Sequence, residues 1–237
     1  MAVSPSRRHQ MRVRAARESS QRGADRLMDG AGLYEQLMMQ LQADRLRLKQ
    51  IQSGEGKAQL KAELIGQYDD YVAGVLDSGQ GAEDALLTEM LVWNLDIGRY
   101  DHALNIARYV LAYKLPMPDR FARTTGCLVA EEIAEAALAE LRASEDFPQD
   151  VLLAAAELTA GEDMPDEVRA KLHLAIGRGL LAASERPDAD AASAAASLEQ
   201  AITHLKRAIE LHGSCGGKKD LERAERLHKK QAPPQAG

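Results

Sequence analysis

The chain has 237 residues, 45% hydrophobic but only 4% aromatic, with a formal net charge of -6. That is enough apolar material for a core, built from small aliphatic side chains packed between helices. No run approaches the roughly 18–20 apolar residues of a membrane span, the N-terminus lacks the apolar block of a secretory signal, and two distant cysteines, Cys127 and Cys215, make no disulfide framework. No alternating Val/Ile/Thr run marks a strand, so an all-α fold is expected.

The first element is basic. SRRHQMRVRAAR, residues 6–17, holds five arginines and no acid. Over residues 1–22, Arg7, Arg8, Arg12, Arg14, Arg17 and Arg22 stand against Glu18 alone, a balance of +5 that leaves -11 for the rest. The composition overlaps with that of an organellar transit peptide, but Met11 and Val13 are nearly its only large apolar residues, too few for an amphipathic one. With so little to bury, residues 1–30 read as a flexible arm, at most a short helix, that orders on a partner. Guanidinium forks suit phosphate, and an acidic body would repel it, which makes DNA the natural partner. About five arginines on phosphates would give a slope of log affinity against log salt near -4 to -5.

From Leu33 a helix is predicted, with Tyr34, Leu37, Leu41, Leu48 and Ile51 at three- and four-residue steps and Asp44 as the polar interruption. Its narrow stripe suits packing against its own domain or self-association equally. SGEGK (53–57) breaks it, a second helix runs from about Ala58 to Leu76, and DSGQG (77–81) breaks the chain again, giving a helical hairpin. Glu83 to Leu95 forms a third helix, carrying Trp93.

GRYDHALNIARYVLAYKLPMP (98–118) lines Ala103, Leu104, Ala107, Val110 and Leu111 on one face before Pro116 and Pro118 stop the helix. The spacing resembles the second helix of a tetratricopeptide-type pair, and it returns at 199–211 as Ala201, Ile202, Leu205, Ala208 and Ile209. Ala-rich helices are predicted over 131–144 and 150–158. A further helix over 163–181 takes Asp163 as N-cap and Pro165 in its first turn. Residues 183–197 read as a low-complexity loop, and the tail as a charged helix that frays. The resulting division is a basic DNA-binding arm (1–30), a hairpin carrying the self-association stripe (31–80), a tetratricopeptide-like helical body (81–230) and a disordered tail (231–237).

No catalytic centre is legible. Asp69 with Asp70, Glu131 with Glu132 and Glu135, and Asp163 with Asp166 are the nearest to metal-binding carboxylate pairs. Adjacent helical acids point about 100° apart, however, and i,i+4 acids are ordinarily solvated. His204, His212, Cys215 and His228 lack the paired close spacings of a zinc site. GSCGGKK (213–219) follows a helix and not a strand, so it is read as a turn and not a phosphate loop. No metal site and no cofactor are expected.

Five blocks in order carry a resemblance: RRHQMRVRAARESSQRGA, YEQLMMQLQADRLRLKQI, EMLVWNLDIGRYDHALNIARYVLAYKLPMP, LTAGEDMPDEVRAKLH and KKDLERAERL. Together they resemble the small terminase subunit of peduovirus-type tailed bacteriophages, a family also labelled the terminase endonuclease subunit. The resemblance implies genome packaging in the cytoplasm of the infected host. In that role the subunit binds double-stranded phage DNA at a cohesive-end packaging site, assembles as a homo-oligomer, commonly a ring, and passes the DNA to a large ATPase subunit. It touches no membrane. An ATPase in the partner accounts for the lack of a Walker loop. No helix-turn-helix is legible, which leaves the arginines as the DNA-binding candidates. The family label keeps an alternative open, in which the subunit itself cuts the concatemer with Mg²⁺, although no acid cluster matches a nuclease motif.

Overall fold

A computed structural model describes residues 4–21, 32–118, 122–188 and 190–231. Among them the chain is 77% helical and forms no strand, so the fold is all-α. Arg22, and the predicted tail beyond Gln231, lie outside the described residues. The chain divides into two compact units, Met1–Thr125 and Gly126–Gly237. That boundary is not among those expected from composition.

The first unit holds α1 (Pro5–Gln21), α2 (Leu33–Lys49), α3 (Gly54–Leu64), a 3-10 turn (Ile65–Gln67), α4 (Asp69–Ser78), α5 (Ala85–Asp96) and α6 (Tyr100–Ala112). Its core is Leu41, Tyr68, Tyr71, Leu86, Leu87, Met90, Leu91, Trp93 and Ile106. The Tyr68 and Trp93 rings meet edge to face at 6.0 Å, the arrangement their quadrupoles favour. The single helix expected over 58–76 is divided at Ile65–Gln67. The C-terminal end of that break serves Asp44: the Tyr68 hydroxyl donates to its Oδ2 at 2.7 Å and Gln67 Nε2 at 3.0 Å. Burial, followed by the bond to Asp44, raises the Tyr68 pKa, which keeps its proton in place as donor. The polar interruption of the α2 stripe is thus a buried acceptor.

Between α4 and α5 the chain turns at Gly79 (φ 59°) and Gly81 (φ 67°). The Tyr113 hydroxyl donates to Gly79 O at 2.5 Å, Gly81 N donates to the Tyr109 hydroxyl at 2.7 Å, and a Cβ at Gly81 would lie 2.2 Å from the Tyr113 ring. Positive φ and ring contact both demand glycine there. Asp84 then caps α5 through Leu87 N (3.0 Å) and accepts the Tyr71 hydroxyl at 2.6 Å.

The second unit holds α7 (Thr125–Arg142), α8 (Gln149–Leu158), α9 (Asp166–Ser184), α10 (Ala191–Leu211) and α11 (Lys218–Gln231), with α7 starting at the unit boundary. Pro165, and not Asp163, is the residue before α9, whose first turn closes on Pro165 O from Val168 N at 3.0 Å. The low-complexity loop is shorter than expected, because Asp190 accepts from Ala192 N and Ser193 N at 3.0 Å and starts α10 there. Ala-rich sequence beyond a good cap is helical. α9 and α10 run antiparallel, with His173 on His204 and Gly177 on Ala201 and Leu205. The tetratricopeptide likeness goes no further than adjacency, since α5–α6 and α9–α10 lie in different units.

At the α9–α10 contact, His173 Nδ1 and His204 Nδ1 are 2.9 Å apart, so one ring donates and the other accepts. Burial, then His204, Arg207 and Arg169, lower the His173 pKa from 6.5 to about 4, and burial lowers that of His204. The unfolded chain therefore takes up a proton first as the pH falls. Stability is intact above about pH 7 and declines from 6.5 toward 4, by about 1–2 kcal/mol after allowing for partial exposure. Thermal melts across that range should show this decline, and His173→Gln should flatten it.

Candidate nucleic-acid interface

The basic segment is a docked helix and not a free arm. Ser4 and Pro5 start it, with Arg7 N on Ser4 Oγ at 3.4 Å and Pro5 in the first-turn position that needs no N–H donor. Ala15, Glu18 and Ser19 form its buried side. α1 runs parallel to α4 in constant register, with Arg12 on Asp70, Ala15 on Gly74, and Ser19 Oγ accepting from Ser78 Oγ at 3.2 Å. A Cβ at Gly74 would lie 2.4 Å from Arg12 O and 2.8 Å from Ala15 Cβ. Small residues at one crossing replace the bulky apolar face that the segment lacks.

Asp70 anchors the pair. It is 7% exposed, sits in the first turn of α4, where a carboxylate complements the helix dipole, and accepts Arg8 Nε at 3.1 Å and Arg12 Nε at 3.0 Å. These two side chains remain about half exposed, at 53% and 47%. Each commits its Nε–H and keeps its terminal N–H groups for another acceptor. Arg14 Nε pairs with Glu18 at 2.9 Å. Glu18 also accepts Leu33 N (3.0 Å) and Tyr34 N (3.2 Å), capping α2 from another helix. Arg7 and Arg17 make no side-chain ion pair among the described residues.

Five of the six predicted arginines thus lie on one helix. Arg14 and Arg17 share an outward concavity with His9, Gln10 and Val13, while Arg8 and Arg12 rim the α4 contact. From Arg7 to Arg17 is about 15 Å of helix, the axial length of roughly four base pairs.

The predicted self-association stripe is used inside the chain. Leu37, Leu41 and Leu48 are buried, Tyr34 packs on Tyr71 at 6.3 Å, and Ile51 is half-buried. What α2 leaves exposed is its opposite face, with Met39 and Leu46. A seven-residue step outside the main stripe was the available signal.

Four of the seven carboxylates considered for a metal are engaged by arginine or lysine. Asp69 takes Arg99 in a two-pronged pair at 3.1 Å, Asp70 takes Arg8 and Arg12, and Glu131 and Glu135 both take Lys171 (3.3 and 2.5 Å). Among the described residues no three His, Cys, Asp or Glu come together to hold an ion. These side chains do not fit a Mg²⁺ centre. No described helix is long and apolar enough to cross a membrane.

Replacing Asp70 by Asn should remove about 1–3 kcal/mol, from two charge-assisted bonds. Gly74→Val should displace α1 through overlap with Arg12 O, at a similar cost. In both variants amide exchange should rise in α1 more than in α5 and α6; equal protection throughout would contradict the docking.

The model of the phage small terminase subunit family matches residues 38–167. A terminase, endonuclease subunit of Escherichia phage P2 is 43% identical over 233 residues, covering 98% of this chain and 89% of that protein. No solved structure matches. With more than half of its length matched by the family model and a near full-length relative, this chain belongs to the phage small terminase subunit family, whose work is the packaging of the phage genome.

Proposed function

We propose that the chain binds double-stranded phage DNA at its cohesive-end packaging site through the arginines of α1, assembles as a homo-oligomer, and delivers the DNA to the large ATPase subunit. One observation carries the DNA-binding part: Arg7, Arg8, Arg12, Arg14 and Arg17 share one docked helix, three of them oriented by carboxylates that leave terminal N–H groups available. The phosphate backbone is the natural acceptor for such forks. An oligomer multiplies these helices, and its contacts use side chains other than the buried Leu37, Leu41 and Leu48.

Removing residues 1–22 would also strip α4 of its cover, so substitution is the cleaner test. Five phosphate contacts give a slope of log affinity against log salt of about -4 to -5, and the double variant Arg7→Gln/Arg17→Gln should lower its magnitude by about 2. An unchanged slope in fluorescence-anisotropy titrations would overturn the assignment.

The name of the phage P2 relative favours a second reading, that this subunit itself cuts the concatemer. Incubating it alone with cohesive-end DNA and Mg²⁺ decides the matter. Cleavage assigns the cut to this chain, and intact DNA under conditions where the whole terminase cuts assigns it to the assembly.

A further inference from the structure

The second unit contains a cleft of about 420 Å³ walled by Ala156, Ala160, Arg169, Leu172, His173 and Arg207. Its charged groups carry one sign. Arg169 donates to the backbone carbonyls of Thr159 (3.4 Å) and Glu162 (2.6 Å) just past α8, which engages two of its five N–H groups without neutralising its charge. Arg207 reaches Glu210 at 3.2 Å, an exposed pair that water and salt screen strongly. From α10, His204 faces His173 directly. The charges acting on His173 are His204, Arg207 and Arg169, all of them opposing its protonation.

Each guanidinium has a structural partner, yet both also line the same cleft beside the imidazole pair. Concave, single-sign surfaces also concentrate counter-ions. Two alanines on the α8 side leave room, and the donors present are forks and ring N–H groups, which match tetrahedral oxyanions.

We propose that this cleft is a second anion site, separate from α1, that receives a phosphate group between Arg169, His173 and Arg207. Binding then draws a proton onto the imidazole pair, because an anion reverses the field that opposes the charged form. Affinity consequently rises as the pH falls. The phosphate can come from a DNA backbone or from a free phosphate ion.

The test uses the full chain in phosphate-free buffer, titrated with inorganic phosphate against sodium chloride of matched ionic strength. The readouts are thermal stability and the His173 Cε1–H resonance. Phosphate should raise the melting temperature more than chloride at both about pH 6 and about pH 7.5. It should also move the His173 titration upward. Arg207→Gln should weaken phosphate binding by about tenfold, with far-UV circular dichroism unchanged; Arg207 is the residue to vary, since Arg169 also closes α8. Arg7→Gln/Arg17→Gln should leave the phosphate response of the His173 resonance intact, which separates this site from the α1 interface. A response to phosphate no greater than to chloride, or an Arg207→Gln variant that binds as well as the parent, overturns the site. If phosphate binds, competition by a short DNA duplex that persists in the Arg7→Gln/Arg17→Gln background supports it with a backbone phosphate as ligand, and absence of competition supports it with the free ion.

Discussion

The first unit depends on one buried carboxylate. Asp70 joins α4 to α1 through Arg8 and Arg12, and without it a helix bearing five arginines and few apolar residues has little reason to dock. Hydrophobic burial cannot supply that reason, since only small side chains such as Ala15 cross at Gly74 and each offers little area. An acid at the start of one helix and two bases on another do the work that leucines do elsewhere in the chain. Fixing α1 in turn places Glu18 over the first amides of α2, so the start of α2 inherits its position from the same contact.

Most helices were legible because their signals are local. Apolar spacing in 98–118 and 199–211 and the glycine breaks at 79 and 81 all act within a few residues of where they sit. What escaped reading was non-local. The basic segment looked mobile because its partner, Asp70, stands about sixty residues away, and the packing value of Gly74 exists only where α1 crosses it. Asp44 reads as a flaw in an apolar stripe until Gln67 and Tyr68, at the end of the 3-10 turn, are seen to donate to it. At Pro165 and Asp190 the signals were present but misjudged: a proline was placed inside a helix it precedes, and a capping aspartate was passed over in an alanine-rich stretch.

The candidate interface divides in the same way. The arginines are evident from composition, but at 7, 8, 12, 14 and 17 they follow no single helical face, so the sequence suggests an arm and not a docked helix. Which of them face outward follows from tertiary contacts, and so does the finding that Asp69, Asp70, Glu131 and Glu135 answer to arginine and lysine. The α2 stripe shows the limit of periodicity: the same pattern serves a neighbour in the chain or a neighbouring chain, and only the burial of Leu41 inside the unit distinguishes them.

The carboxylate tethers on Arg8, Arg12 and Arg14 cancel part of the positive charge, which at first sight works against binding an anion. A long side chain that must be immobilised on binding loses about 0.5–1.5 kcal/mol of conformational freedom. Here much of that loss has occurred already, during folding, and the terminal N–H groups are held in place beforehand. The helix therefore trades some long-range attraction for preorganisation. Added salt screens the long-range attraction more than the short contacts to the buried carboxylates of Asp70 and Glu18, so the tethered arginines are the ones whose contribution should persist best as ionic strength rises.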